Sequence, residues 1–561
     1  MTEGKENTVM FAKPRPSRTL AVALVVLAGT PGLKEAQACG GFFCQQVPID
    51  QAGEQIIFRQ DGNRVTAVIL IQYAGEADDF SWVVPVAGIP ELSTGSDLVF
   101  GPLELATRPQ FVLETTGEPC PSFFDSALGG SGAPAAEDND NGGGGGVDVL
   151  QRLAVGPFDV EVVASDDADA LATWLEQNNY DLTDRGRDLI APYVQAGMNF
   201  VAVRLRKDQG VGDIQPLIMR YDGDVASVPI RLTAVAAQPD MGVIVWMLGP
   251  SRAVPLNYLH VTPNYTRLNW YSGTVNAYAT YQDLITAAMN EAGGQGFATD
   301  YAGTDVDYLS QLPSVDVFAS ALIGYSAIED DAEFIAQLAA GFVFPQDKVL
   351  EILRRVLPLP EGEGEFIYQI PELLRMLVSA EQLASGRASA LVELNESVIR
   401  PLQETLDVLD DGLYMTRLYT TLSADEMTLD PAFSFNPDLD DQQLDRHATL
   451  DIRCGGWSLT LGKGTGRDGE RVIEAAGTPP GFLSLTVPTI EQEAVWRTEM
   501  VTIVGPPTVV TQKQFPIARI GDVTDGTGGQ RLCGAGTECG AGVMGMLCLT
   551  LLGLRLMRCR R

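Results

Sequence analysis

The strongest constraint on the fold lies in residues 54–86, EQIIFRQDGNRVTAVILIQYAGEADDFSWVVPV. Ile56 and Phe58 begin an alternating pattern, and Asp61-Gly62-Asn63 supplies a turn between two apolar runs. Val65, Ala67, Ile69 and Ile71 then fall on one face of an extended chain, with Val68 and Leu70 on the other. A strand apolar on both sides belongs inside a sheet that is covered on both faces. This chain therefore needs at least two layers packed against one sheet.

The following segments supply candidates for those layers. FDVEVVAS (158–165) reads as a strand and Ala168–Gln177 as a helix, with Asp166 and Asp167 at its start, where carboxylates suit the helix dipole. A second helix over Asp184–Gln195 leads into the strand NFVAVRLRK. Further β-like runs are PLIMRYDG, SVPIRLTAV and MGVIVWMLG. A helix over Asn276–Ala292 is ended by Gly293-Gly294. The aromatics Trp270, Tyr271, Tyr278 and Tyr281 fit core packing better than an exposed patch. Residues 39–303 read as an α+β domain. GGSGAPAAEDNDNGGGGGVD, residues 129–148, is a Gly-rich acidic insertion read as disordered.

Beyond it the period changes. Val349, Leu350, Leu353, Val356 and Leu357 make one helical stripe, and PELLRMLVSAEQLA and SVIRPLQETLDVLDDGL continue the pattern. Residues 304–422 therefore read as a small helical domain and 423–447 as a linker, in which Ser423 and Glu426 have capping-box spacing. From 448 to 523 the alternation returns in ATLDIRC, WSLTLGKG, GERVIEA, FLSLTV and VWRTEMVTIV, a β-rich sandwich or barrel-like module. The fold class expected is α+β.

The two ends give an address. Lys13, Arg15 and Arg18 precede the apolar run Leu20–Ala28, and Ala36-Gln37-Ala38 closes the segment. That order is a secretory signal peptide over residues 1–38, cleaved between Ala38 and Cys39. Met10 suits the start better than Met1, because the lead-in Thr2–Asn7 is acidic. The run is shorter than the roughly 20 residues a bilayer span takes. Outside the cytoplasm thiols pair. Cys39, Cys44, Cys120 and Cys454 are then disulfide candidates with three pairings open, and a metal site is the weaker reading. At the other end, the tail 524–561 carries an apolar helix over 541–557, whose end holds Arg555 and is followed by Arg558, Arg560 and Arg561. Those arginines form a basic stop on the cytoplasmic side.

Formal net charge is −35, from 38 Lys and Arg against 73 Asp and Glu. Such a chain does not bind nucleic acid through phosphates. At 45% hydrophobic and 20% charged it holds a packed core.

Motifs for catalysis are missing from the sequence. HExxH, GxSxG and Walker A patterns do not occur. GKGTGRDG, from Gly462, reads as a hairpin turn. His260 lies among apolar residues and reads as structural, and His447 falls in the linker. Asp438, Asp440 and Asp441 are calcium candidates, though the pattern lacks a Gly turn and a distal Glu. No cofactor is expected otherwise. Paired carboxylates could serve a hydrolase, but sequence singles out none.

Two resemblances add to this reading. ACGGFFC, IDQAGEQIIF, DDFSWVVPV, YVQAGMNFVAVRL and LYTTLSADEMTLDPAFSFNP resemble an uncharacterised bacterial family, domain of unknown function 2330, across most of the exported body. The resemblance implies an exported, envelope-associated protein and transfers no catalytic residues. The tail, with its Cys, Gly-rich spacer, short apolar helix and Arg cluster, resembles the myxobacterial sorting signal MYXO-CTERM. This implies cleavage near Cys533 or Cys539 by export and sorting machinery, and a cell-surface location. The expectation is a non-enzymatic surface protein, held to a membrane by its tail and meeting an extracellular protein or polysaccharide. The alternative is an exported carboxylate-dependent hydrolase with a groove between the α+β and helical blocks.

Overall fold

The computed structural model describes residues 50–74, 80–117, 148–178, 180, 184–206, 214–268, 270, 277–409, 412–453, 456–465, 469, 471–476, 496–500 and 508–511. All of them fall in one compact unit, residues 38–561. The signal segment, all four disulfide candidates, the insertion up to residue 147 and the tail lie outside the described residues. Among the described residues no helix is long and apolar enough to cross a membrane.

The described chain opens with a hairpin of β1 (Asp50–Asp61) and β2 (Arg64–Ala74). It continues through β3 (Ser81–Val86), β4 (Glu91–Thr94), α1 (Phe100–Thr107) and β5 (Gln110–Thr116). A second hairpin, β6 (Asp148–Val155) and β7 (Phe158–Ala164), leads through α2 (Ala168–Gln177) and α3 (Asp184–Gln195) to β8 (Asn199–Leu205). Next come β9 (Leu217–Asp222), β10 (Ala226–Ser227), α4 (Ile230–Thr233), β11 (Ala237–Gly249), β12 (Ala253–Pro255) and β13 (Leu259–Pro263). After α5 (Ala277–Ala292) and β14 (Gly296–Gly303) the chain turns helical: α6 (Val315–Ser326), α7 (Asp331–Ala340), α8 (Gln346–Val356), α9 (Pro371–Leu377), α10 (Ala380–Leu394) and α11 (Arg400–Leu406). It ends in β15 (Tyr414–Leu422), β16 (Ala432–Phe435), β17 (Asp445–Arg453), β18 (Gly456–Leu461), β19 (Arg471–Ala476), β20 (Trp496–Met500) and β21 (Thr508–Thr511).

This is an α+β fold built on one mixed sheet of ten strands, in the order β21-β20-β13-β14-β15-β11-β1-β2-β9-β4. β1 is central, parallel to β11 with Ile57 opposite Trp246, and antiparallel to β2 with Ile57 opposite Val68. The two faces of the hairpin separate as the alternation predicts. Ile56, Phe58, Val65, Ala67, Ile69 and Ile71 pack into one core with Trp82, Val84, Phe158, Val160, Val201 and Val203 of the small sheet β3-β8-β7-β6. Ile57 and Val68 face the opposite core, with Trp246, α1, α5 and the helices α6–α11. Each fully buried Val, Leu or Ile side chain contributes about 1.5–3 kcal/mol, so a strand apolar on both faces anchors two layers at once. α2 and α3 cover the far side of the small sheet through Leu171, Trp174, Leu175 and Ile190.

Helix boundaries follow local chemistry. The Asp167 side chain caps α2, accepting from Asp169 N and Ala170 N at 2.8 and 3.1 Å. Ser379 and Gln382 form a capping box on α10. α8 buries Val349, Ile352 and Leu353 and carries Arg354 and Arg355 in its last turn, where cations suit the dipole.

Several readings of the sequence change. Tyr414–Leu422, placed with the helical block, is a strand inserted between β11 and β14 in the large sheet. The stretch read as the linker 423–447 contains β16, and His447 stands on β17. β17 pairs in parallel with β5, so β17, β18 and β19 complete a sheet begun by residues 110–116, while β20 and β21 extend the large sheet beside β13; the strands from 445 onward do not stand alone. Ser423 and Glu426 do not start a helix. Glu426 Oε2 accepts from Ser423 N at 2.8 Å, but Ser423 Oγ accepts from Asp240 N at 3.0 Å, and the segment is a turn. The next residue able to continue a stripe, Met427, is drawn into the sheet core instead.

Candidate functional site

Two polar assemblies stand out from the apolar layers. The first is a buried ionic network on the helix-facing side of the large sheet. β15 carries Arg417 opposite Trp246 of β11, and β14 delivers Asp300 beside it; both charged side chains are fully buried. Arg417 Nη1 donates to Asp300 Oδ2, and Tyr281 of α5 donates to Asp300 Oδ1. Arg417 Nη2 donates to the Tyr278 hydroxyl at 2.9 Å, which donates to Glu104 Oε1 of α1 at 3.2 Å. Gln55 of β1 donates to Glu104 Oε2 at 3.2 Å. Arg446 of β17, also buried, donates to the Tyr265 hydroxyl at 3.0 Å and to the Asp300 backbone carbonyl at 2.8 Å. Burial holds the Asp300 carboxyl above its ordinary value, against the pull of Arg417, Tyr281 and Arg446. Burial also works against the charge on Arg417, but Asp300 and Tyr278 outweigh it, so the guanidinium stays protonated beside Asp300. The network ties β1, β14, β15, β17, α1 and α5 together. Trp270, Tyr278 and Tyr281 are buried here, as core packing requires; Tyr271 lies outside the described residues.

The second assembly is a cleft of about 280 Å³ between the β6–β7 turn and the helical layer. Gly156 and Pro157 make the turn, with Gly156 at φ +56°, as a type II′ hairpin needs at its first central position. From the facing side come Arg355 of α8, Glu393 of α10 and Arg400 of α11, with Glu396 and Ser397 between the last two. Arg355 pairs with Glu393 at 3.1 Å, and Arg400 with Glu396. Arg206 and Gln215 also line it, with the apolar Ala154 and Val392. The helix passes through a π turn, Asn395–Ile399. Pro401 has no N–H to give the Ser397 carbonyl, and Gln215 Nε2 donates to that carbonyl from across the cleft.

The residues singled out in the sequence do not converge. The Tyr414 hydroxyl donates to Asp441 Oδ1 at 2.6 Å, the Asp440 carbonyl accepts from Arg252 Nη1 at 2.6 Å, and Asp438 N donates to Asn436 Oδ1 at 2.9 Å. Among the described residues no group of three or more His, Cys, Asp or Glu is placed to hold a metal ion. His260 Nε2 lies 3.4 Å from Thr299 Oγ1, and burial, helped by the Arg252 cation, pushes its pKa down to about 3. A ring so held is neutral and structural. His447 Nε2 sits 3.8 Å from Asp445 Oδ2 on a different sheet. Gly462–Thr465 turns between β18 and β19, with Gly464 at φ +84°, as the hairpin reading expects. The buried pair Arg417–Asp300 had one local signal, a lone arginine in the otherwise uncharged YMTRLYTTL. Arg206, Arg355 and Arg400 had none, being spread over almost 200 residues.

A layered α+β protein with an ion-paired cleft and an internally charged sheet is the class these features define. The chain belongs to the DUF2330 family, described as uncharacterized proteins conserved in bacteria, which matches residues 34–323, more than half of its length. The match stops within α6, so LYTTLSADEMTLDPAFSFNP, at 418–437, falls outside it. No curated protein and no solved structure matches the chain.

Proposed function

We propose that this chain is an exported protein, held at the cell envelope by its tail and displayed on the outer surface, which binds its ligand without transforming it. One observation carries the choice of binding over hydrolysis. Among the described residues, the carboxyl groups that burial pushes above their ordinary values are Glu54 and Asp300 in the interior and the half-buried Asp430, and none of them lines the cleft. A hydrolase needs such a group in its pocket. The two glutamates that do line the cleft, Glu393 and Glu396, are each engaged by an arginine. The basic, apolar and Ala-Gln-Ala order before Cys39 supports export. The apolar run and arginines at 541–561 support a membrane hold, with Cys533 or Cys539 as the processing position. Neither a metal nor an organic cofactor is part of this reading, and no nucleic acid is a partner.

Mass spectrometry of the mature termini, on protein shaved from intact native cells with protease and on the membrane left behind, tests it. A body that starts at Cys39, ends near Cys533 or Cys539 and is released by shaving is expected. An intact tail through Arg561 with no released body would overturn surface display and make a membrane-tethered periplasmic protein the better account.

A further inference from the structure

We infer that the outer face of α6 is the surface on which a second copy of this chain docks, helix against helix across a two-fold axis. The inference goes beyond the binding reading above and does not rest on it.

The sequence of α6, VDVFASALIGYS, is apolar on every side. A helix of that kind belongs in an interior. Yet only Phe318 of its 12 residues is buried. Its inner side, Val315, Ala321, Leu322 and Tyr325, packs half-buried against the helical core. Its outer side leaves Ile323 71% and Val317 56% exposed, with Ser320 and Gly324 exposed between those two rows. On the flank, Phe344 stacks on Phe318 at 5.2 Å, and Phe342, two residues earlier, is 94% exposed. Large apolar side chains gathered on one surface mark an interaction site.

Gly324 is a separate ground. Glycine inside a helix weakens it relative to alanine. The backbone at 324 is not left-handed, and a Cβ there would meet nothing within 4 Å. The rest of its own chain therefore does not require a glycine at this position. A second helix packed closely over it does.

Charge selects a second copy as the occupant. From Tyr308 to Ile328 the one charged residue is Asp316, in a chain of net −35. Two such chains repel over most of their surface, and an uncharged face is where they can approach. A lipid surface fits less well. Helices that lie on membranes carry Lys and Arg on their polar side, and neither α6 nor α7 has one. A charged partner would lose its hydration against a face that returns no charge. The face instead matches itself, because the bulky Val317 of each copy seats over Gly324 of the other. Antiparallel helices also place opposite dipole ends together. Past the end of α6 the charges nearly cancel: Arg375 pairs with Asp330 and Arg387 with Asp331, beside the exposed Glu329. One helix pair makes a small interface, so the dimer is a transient one.

Sedimentation velocity of the purified full chain from about 1 to 100 µM, the range of transient association, tests the proposal. The parent should pass from monomer to dimer over this range, and at lower concentration when added salt screens the repulsion. Ile323→Glu should weaken the dimer at least tenfold. Gly324→Leu has room within its own chain, so it should weaken the dimer as much while the melting temperature of the dilute protein stays the same or rises. A parent that remains monomeric would overturn the inference. So would a dimer that either variant leaves unchanged, since that dimer is made elsewhere in the chain, the tail included. A monomer that floats with phosphatidylcholine vesicles, and no longer does so as Ile323→Glu, would give the face to lipid and overturn the second copy.

Discussion

Glu54 stands on β1 among the apolar residues that face the small sheet, 4% exposed, and its Oε2 has no hydrogen-bond partner. Burial pushes its pKa up to about 7. An acid held above its ordinary value keeps its proton longer in the folded chain than in the unfolded one. Its contribution to stability is fully present below the unfolded value near 4.5 and is lost as the pH rises through about 7. At about 1.4 kcal/mol per unit, the loss approaches ~3 kcal/mol. Glu54→Gln should therefore be more stable than the parent at pH 8 and nearly equal at pH 4.5, as read by urea melts at both values. A parent whose advantage over Glu54→Gln grows with pH would contradict the assignment. The Asp300–Arg417 pair makes the opposite demand, because removing one partner strands a buried charge. Asp300→Ala should cost about 3–5 kcal/mol, and Asp300→Ala with Arg417→Leu should cost less than the sum of the two single changes. Additive costs would mean that the two side chains act apart. In the sequence the pair leaves only the lone Arg417 of YMTRLYTTL as a signal, and Glu54 leaves none. Glu54 shares a strand face with Ile56 and Phe58 but precedes them, so it reads as the solvated start of that face, and only the second sheet packed over it makes it buried.

At the scale of elements, alternation and helical stripes were legible wherever one segment sufficed to show them. The β1–β2 hairpin turns where its Asp-Gly-Asn predicts, α2 starts at its Asp167 cap, and α3 keeps the bounds its pattern suggests. Partner choice was not legible. Tyr414–Leu422 alternates no more clearly than the helices before it, and it becomes a strand because β11 and β14 offer hydrogen bonds on both of its edges. Irregularities within strands were equally hidden. The register of β1 on β11 shifts between Gln51 and Gly53, where Ala237 and Gly242 are the partners. Inside that irregular stretch Asp240 adopts φ +56°, a conformation that residues other than glycine enter at a cost. Its backbone N–H donates to Ser423 Oγ, and its Oδ1 accepts from Asn290 Nδ2 at 3.0 Å, so the bulge is pinned to α5 and to the end of β15. Asp240→Val adds a β-branched residue to a left-handed position and should lower stability by about 1–3 kcal/mol, whereas Asp240→Gly should stay within about 1 kcal/mol of the parent. Chemical denaturation of both variants reads the difference; an equal loss in the two would place the cost in the side-chain hydrogen bonds and not in the backbone.

Across the whole molecule, the blocks of the sequence and the layers of the fold do not coincide. β1 pairs with β11 about 190 residues later, and β5 with β17 more than 300 residues later. Composition shows where a chain changes period but carries no record of which distant strands will meet, so the α+β class was readable and the continuity of its central sheet was not. The family match makes the consequence testable. Residues 34–323 include β1, β2, β9, β11, β13 and β14 but not β15, which lies between β11 and β14. A fragment confined to that span would leave the edge of β11 from Met241 to Gly249 without its nine cross-strand partners. It would also strip Asp300 of Arg417 and uncover the face of Trp246. An unpaired apolar edge is a template for aggregation. The fragment should therefore lack near-UV circular dichroism and a cooperative thermal transition, or precipitate, while the same residues within residues 38–511 melt in one transition. A cooperative melt of 34–323 alone would mean that β11 and β14 close on each other without β15, and that the segment after residue 323 is an addition to a self-sufficient domain. The pairing of β15 on both edges, at the centre of the sheet and beside the buried ion pair, argues for the first outcome.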